Sequence, residues 1–363
     1  MSNTSDFDFV LLMNNLSIKF IYYNNLIAFP IGFALNFLSL LVFTRKKFKN
    51  STAGFYNQAI SIINILVLLL GFLTYHAIIY NNDVYLKSDF SCVTMVYVVR
   101  VTLQMSSWLN AIITFDRMFW ILFQNKFPIM KTKKFMALLT FGFVGLLAVI
   151  NSPNLFFRLV QVGVPSSIVN DTNNSTNLVV INFKVICSAS KEFVYARDLI
   201  MIFSRNIVPF TLTILMNTYL IKRLIESKRK LFAKKQLRKE YNFAFAVVFL
   251  NVLFVVTLLP SGIVLILLNL TGYRNTVTLS VRTSAVVNFS NLLTQYFAMY
   301  YNAFAFFVNL KFNKLFKKEL FGLVKKMSRL GWCRKGSQVS DSTNSSGITH
   351  TQNKSNFMHK SSY

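Results

Sequence analysis

Phe115-Asp116-Arg117-Met118 sets an acid and a base side by side at the end of a long apolar stretch. Charges at such a depth are costly in lipid unless a partner or a function holds them there. What this pair can do is form a switchable ion pair. Three further arginines raise the same question: Arg100 and Arg205 fall inside apolar stretches, and Arg282 opens another. A guanidinium forks onto a carboxylate through parallel hydrogen bonds, so these positions are candidates to receive an acidic group. The alternative is an internal pair, for which Asp198 stands seven residues before Arg205 on the same helical face. No catalytic pattern accompanies them. His76, His350 and His359 do not cluster with cysteines or carboxylates. Neither an enzyme, a metal site nor a cofactor is expected. His76 reads as a helix-packing residue.

The elements that must position these residues are apolar helices. The 363 residues are 54% hydrophobic with mean hydropathy +0.47, too apolar for a soluble domain of this length. A spanning helix needs about 20 apolar residues, and seven stretches qualify: 20–43, 55–80, 91–123, 135–157, 199–221, 241–268 and 283–309. The expected fold class is an all-α membrane protein, a seven-transmembrane helix bundle. The net charge of +27 is unevenly spread. Arg45, Lys46, Lys47 and Lys49 follow the first stretch; Lys126, Lys131, Lys133 and Lys134 follow the third. Further basic residues crowd 222–239 and the region from Lys311 onward. All lie on the side reached after odd-numbered stretches, so the positive-inside rule sets the N-terminus outside. The charge thus reports topology and attraction to anionic membrane lipid, not nucleic acid. Residues 1–18 carry Asp6 and Asp8 but no basic region, so no cleavable signal is expected and the first stretch inserts the chain.

Four regions follow: an outer tail at 1–19, the seven-span domain at 20–310, an amphipathic helix on the membrane surface at 311–332, and a disordered cytoplasmic tail at 333–363. Phe312, Leu315, Phe316, Leu320 and Leu323 recur at helical spacing among lysines, as a surface helix requires. Cys92 and Cys187 both face the oxidising side, and a disulfide between them is expected. Cys333, beside the membrane, is a candidate for palmitoylation, with a free thiol as the alternative. Sequons begin at Asn3, Asn15, Asn170, Asn173 and Asn174. The run 178–186 is β-prone and predicts a hairpin leading into Cys187, against an irregular loop. The Ser/Thr-rich tail from Ser337 onward is open to kinases.

With these features in place, residues 20–335 resemble the rhodopsin-like (class A) G-protein-coupled receptors, most of all invertebrate neuropeptide receptors of the FMRFamide-receptor-like kind. Gly32-Phe33-Ala34-Leu35-Asn36 is similar to the family's first-segment motif. Cys92 stands 24 residues before Asp116, and Pro209 and Pro260 match its kinking prolines. Phe254, six residues before Pro260, matches an aromatic of its inner switch, and Asn206-Ile207-Val208-Pro209-Phe210 is similar to its peptide-receptor version. There are departures. Asn64 replaces the acid of a buried sodium site, leaving Ser106 and Asn302 as neutral oxygens, so weak or absent sodium modulation is expected. Leu258 replaces a tryptophan, Met118 replaces the common tyrosine, and the seventh-segment motif is reduced to Asn302-Ala303-Phe304-Ala305-Phe306.

The resemblance implies a plasma-membrane, multi-pass receptor for an outer peptide or small-molecule ligand, coupled to a heterotrimeric G protein, with a kinase and arrestin at the tail. It implies that Asp116 and Arg117 pair, that Glu240 joins Arg117 in the resting state, and that Pro260 is the hinge of an outward swing. It also sets Val99, Arg100, Arg205 and Arg282 about the ligand site. Val99 stands where amine receptors carry an acid, and no lysine lies between 283 and 309 for a retinal linkage. A biogenic amine and an opsin are therefore not expected. A chemosensory receptor on the same fold is the alternative. A transporter or channel is disfavoured because the stretches show no internal repeat.

Overall fold

The computed structural model describes residues 3–49, 51–80, 86–123, 132–170, 177–231, 235–270 and 280–337. Helix α1 (Asn3–Tyr23) runs through a π-turn at Asn24–Ala28 into α2 (Phe29–Phe43), and a short α3 (Lys46–Lys49) leads to α4 (Thr52–Tyr80). Then come α5 (Asp89–Phe123), α6 (Lys133–Ile150) with a 3-10 turn at Ser152–Phe156, and a hairpin of β1 (Arg158–Asn170) and β2 (Asn177–Ser188). Next, α7 (Lys191–Ile200) passes through a π-turn at Met201–Ile207 into α8 (Val208–Leu231). The chain continues as α9 (Lys235–Leu270), α10 (Val281–Phe312) and α11 (Lys314–Ser337). It falls into two units, Met1–Lys318, which holds the bundle, and Glu319–Tyr363.

Among the described residues, six helices are long and apolar enough to cross a membrane: Asp8–Phe43, Thr52–His76, Asp89–Phe119, Lys133–Ile150, Lys191–Arg223 and Ala244–Asn269. Their outward faces are apolar. On α6, Leu138, Phe141 and Val149 are each 72% exposed, a surface suited to lipid. The protein is therefore an all-α, multi-pass membrane protein that carries, among the described residues, one β-hairpin. The stretch 283–309 lies in α10, but that helix falls short of the six on composition, because Asn288, Asn291, Gln295 and Asn302 lower its hydropathy.

Two expectations change in detail. The segment read as a polar tail, 1–19, is helical from Asn3, and α1 packs on α10 through an edge contact of Phe20 with Tyr296. At about 1.5 Å per residue, Asp8–Phe43 is roughly 54 Å long, so its first turns reach beyond a hydrocarbon layer of about 30 Å. The surface helix begins at Lys314, three residues later than expected, because Asn313 closes α10 and caps α11, its Oδ1 accepting from Phe316 N at 3.0 Å. That helix runs through Cys333 to Ser337.

β2 contains the β-prone run, paired antiparallel with β1 so that Leu159 faces Cys187. Cys187 is bonded to Cys92 near the start of α5, with Cα atoms 5.7 Å apart, which ties the hairpin to that helix. The residues 171–176, which include the sequons at Asn173 and Asn174, lie outside the described residues.

The interior is unusually amide-rich. Where α5, α6 and the π-turn before α8 meet, Gln104 and Asn151 exchange hydrogen bonds, Asn151 Nδ2 to Gln104 Oε1 at 2.7 Å and Gln104 Nε2 to Asn151 Oδ1 at 3.2 Å. Ser204 adds a bond to Gln104 Oε1 at 3.2 Å. Both amides are fully buried. Replacing Gln104 alone by Leu leaves Asn151 without its reciprocal partner in a dry interface, at an expected cost of about 1–3 kcal/mol. Thermal unfolding of the purified protein in detergent checks this: the midpoint drops, and an unchanged midpoint would show that the amide pair contributes nothing.

Candidate functional site

α5 carries the two ends of the site. Cys92 lies near its start and Asp116-Arg117 near its end, roughly 37 Å apart along the helix. Arg117 is only 2% exposed, the largest fully buried side chain among the described residues. Its Nε donates to Asp116 Oδ2 at 3.0 Å, and its Nη2 donates both to that carboxylate and to Thr52 Oγ1 at the start of α4. Asp116 is itself half-sheltered. The guanidinium is thus held by charge on its own helix and by a hydroxyl on the next. Glu240 lies in α9, and its side chain is outside the described residues.

A continuous line of buried polar side chains leads away from this end. Asn251 on α9 donates to Thr114 Oγ1 on α5 at 2.7 Å and to Asn217 Oδ1 on α8 at 3.1 Å. Thr114 bonds back to Asn110 O at 2.6 Å, and Tyr301 on α10 donates its hydroxyl to Asn110 Oδ1. Asn110 Nδ2 donates to Ser106 O, and Ser106 Oγ donates to Asn302 Oδ1 at 3.0 Å. Asn36 on α2 donates to Asn302 O at 2.6 Å and accepts from Asn64 on α4 at 3.2 Å. Five helices and α8 are thereby joined through side-chain donors, with backbone carbonyls on α5 and α10 accepting three of the bonds. Asn64, Ser106 and Asn302 sit in one layer of this line, with neutral oxygens only.

Phe254 and Pro260 place α9 beside it. Phe254 meets Phe210 and Tyr301 edge-on, each at 5.3 Å between ring centroids. Leu258, one turn further, completes that buried cluster. Pro260 lies inside α9, and nearby Thr257 Oγ1 bonds back to Leu253 O at 2.8 Å. A missing N–H and a side-chain back-bond in the same turn are the ingredients of a helix bend.

Toward the disulfide end, α4, α5, the π-turn before α8, α9 and α10 surround a cavity of about 150 Å³. Its lining includes Val99, Arg100, Asp198, Arg205, Ser261 and Gln295. Three of the four expected ligand residues thus meet in one cavity. Arg282 does not join them. It is 56% exposed on α10, stacked 4.4 Å from the Phe9 ring centroid and 4.0 Å from Asp6 Oδ1, so it fastens α1 to α10. Asp198 bonds to its neighbour Arg197, Nε to Oδ1 at 2.9 Å, and Arg197 lies 5.0 Å over the Phe157 ring. Arg205 lies in the π-turn that leads into α8. Buried positions recur there every four residues, at Met201/Ile202, Arg205/Asn206 and Pro209.

The other expected residues lie apart. His76 stacks on Phe72, with centroids 5.2 Å apart. Asn15 is exposed on α1, Asn3 lies in its first turn, and Asn170 ends β1. Cys333 lies in α11, with its side chain outside the described residues, as are residues 338–363 of the tail. Among the described residues no three His, Cys, Asp or Glu side chains gather as metal ligands. Sequence reasoning missed the polar line itself. Its signal was Ser106, Asn110 and Thr114, four apart within an apolar stretch. It also missed Thr52, which carries no motif.

No protein-family model matches the chain, and no curated protein matches it. The geometry therefore has to speak for itself, and Tyr301 offers a direct test of the polar line. Tyr301→Phe keeps the ring packing but leaves Asn110 Oδ1 buried without its donor, at an expected cost of about 1–3 kcal/mol. Thermal unfolding should show this loss, and combining it with Asn110→Ala should cost less than the two single losses added. Strict additivity would mean that the two side chains are not bonded.

Proposed function

We propose that the chain is a rhodopsin-like G-protein-coupled receptor of the plasma membrane, with α10 as its seventh span, its disulfide end outside and the Arg117 end in the cytoplasm. The resemblance to neuropeptide receptors makes an outer peptide the first candidate ligand. The observation that carries this reading is the buried Arg117, clasped by Asp116 and Thr52, on the same helix whose buried side chains bond to α9 and α10 on the way to a cavity.

Several features support the topology. At 32 residues, α10 is roughly 48 Å long, enough to cross a bilayer. Tyr296, Tyr301 and Asn302 point into the bundle while Phe297, Phe304 and Phe307 point out, so its polar residues are spent on the interior. Basic residues gather where α2, α5, α8 and α10 end, the expected cytoplasmic side.

The mechanism follows from differential affinity. A ligand in the cavity shifts the bundle only as far as it binds one packing better than another. The helix able to respond is α9, which carries Pro260 inside it and is held to α5, α8 and α10 by Asn251 and Phe254. Its displacement would release Arg117 into a cavity that receives the G protein's α-subunit, with Glu240 on α9 as the resting-state partner of Arg117. The tail would serve a kinase and arrestin. A small-molecule chemosensory receptor is the second reading, favoured by the cavity's volume, which admits a single side chain or a small molecule.

G-protein activation in cells tests the proposal. Wild type and Arg117→Ala, at matched surface levels, are challenged with neuropeptides and with small organic molecules. A ligand response in the wild type that falls at least about tenfold in the variant is expected, since a buried charge-assisted contact is worth that much. Equal responses in the two, or silence from a well-expressed wild type across both libraries, count against a receptor that signals through this pair.

A further inference from the structure

We infer that the cavity between α4, α5, α9 and α10 is a carboxylate-binding site, with Arg205 as the residue that receives the acid. The inference rests on the receptor reading only for the name of the site, not for its chemistry.

Arg205 is 9% exposed, lines the cavity, and has an Nε with no hydrogen-bond partner among the described residues. Leaving a buried polar atom of a charged group unmatched is among the most costly arrangements a fold can keep. The internal alternative is a pair with Asp198, but Arg205 Nε has no partner there, and Asp198 Oδ1 is bonded by Arg197, whose guanidinium is not part of the lining. The lining as a whole has two guanidinium groups, Arg100 and Arg205, and one carboxylate, so its charge favours an anion. The remaining polar wall is neutral: Gln295 accepts from Tyr75 at 2.9 Å and donates to Asn291 at 3.1 Å. Arg205 sits in a π-turn, a feature frequent at functional sites.

Size narrows the ligand. A cavity of about 150 Å³ holds a benzene-sized molecule. The acid is therefore a small monocarboxylate, or one acidic residue of a peptide whose remainder lies outside the cavity. Both offer the same planar pair of oxygens, which the forked guanidinium matches.

The test uses the purified full chain in lipid nanodiscs, with no G protein, followed by thermal unfolding. Three acids are compared with their uncharged partners: benzoate with benzamide, hexanoate with hexanamide, and N-acetyl-Ala-Glu amide with N-acetyl-Ala-Gln amide. Concentrations reach about 10 mM, the range suited to ligands of so few atoms. At least one acid should raise the unfolding midpoint saturably while its amide does not. Arg205→Gln should weaken that protection at least about tenfold, and Arg205→Lys should retain part of it. The unliganded Arg205→Gln protein should unfold no earlier than the wild type, because an unmatched buried charge has been removed. Protection by the free acids alone identifies a small-molecule source, and protection by the glutamyl peptide identifies a peptide. The inference is overturned if acids and amides protect equally, if no acid protects, if Arg205→Gln binds as well as wild type, or if its unliganded midpoint falls by several degrees, which would make Arg205 structural. Because the readout needs no G protein, acid binding by a chain that never activates one would overturn the receptor reading and leave this one standing.

Discussion

The hydrocarbon interior offers no water, so every polar side chain inside this bundle must find its partner in protein. That constraint explains more of the structure than the hydrophobic effect does. Apolar side chains such as Leu138 and Phe141 face outward as readily as inward, and burying them against protein gains little where lipid is equally apolar. What distinguishes one helix arrangement from another is whether Asn36, Asn64, Ser106, Asn110, Asn251 and Asn302 can all be matched. In the observed packing they are linked into one line. Individually such bonds are modest in membranes, often below about 1 kcal/mol. Their value here is directional, since each fixes the rotation of one helix against another.

The line is also incompletely satisfied. Asn64 Oδ1 and Asn251 Oδ1 are buried without partners among the described residues. A network with spare acceptors has room for a second arrangement of nearly equal energy, which a fully matched one lacks. Asn251 is well placed to take part, because it sits on α9, the helix that carries Pro260 inside it, and bonds to two neighbouring helices at once. Phe254, one turn along the same helix, packs against Phe210 and Tyr301. A movement of α9 would have to break polar and aromatic contacts together, which favours two discrete packings over a continuum.

Much of this was legible in the sequence. Long apolar runs read as helices because nothing else satisfies a backbone in lipid, and the β-prone run before Cys187 is a strand of the hairpin. The location of Val99, Arg100 and Arg205 in one cavity matches their depth along the stretches. The differences between expectation and structure have physical causes. α10 was counted as apolar as the rest, yet its amides and hydroxyls lower its hydropathy because they serve the interior. The first nineteen residues read as a tail because Asn, Ser and Asp are interspersed among their apolar residues, whereas the helix is supported by long-range contacts from Phe9 to Arg282 and Phe20 to Tyr296. Arg282 was assigned to the ligand site from its position at a helix start. A helix start says how deep a residue lies, not which neighbour its long side chain will find.

Arg117 and Arg205 show the same physics resolved in two ways. Both are buried cations in a medium that penalises charge. Arg117 is matched at once, by a carboxylate on its own helix and a hydroxyl on the next, and its cost is met within the observed packing. Arg205 keeps an unmatched Nε beside an open volume, and its cost is met only when something enters. The first arrangement stores a group that can be released, and the second stores a demand that can be filled. Between them run side chains that bond helix to helix, so filling one site and freeing the other need no contact between them. They need only that the two outcomes favour the same packing of α9.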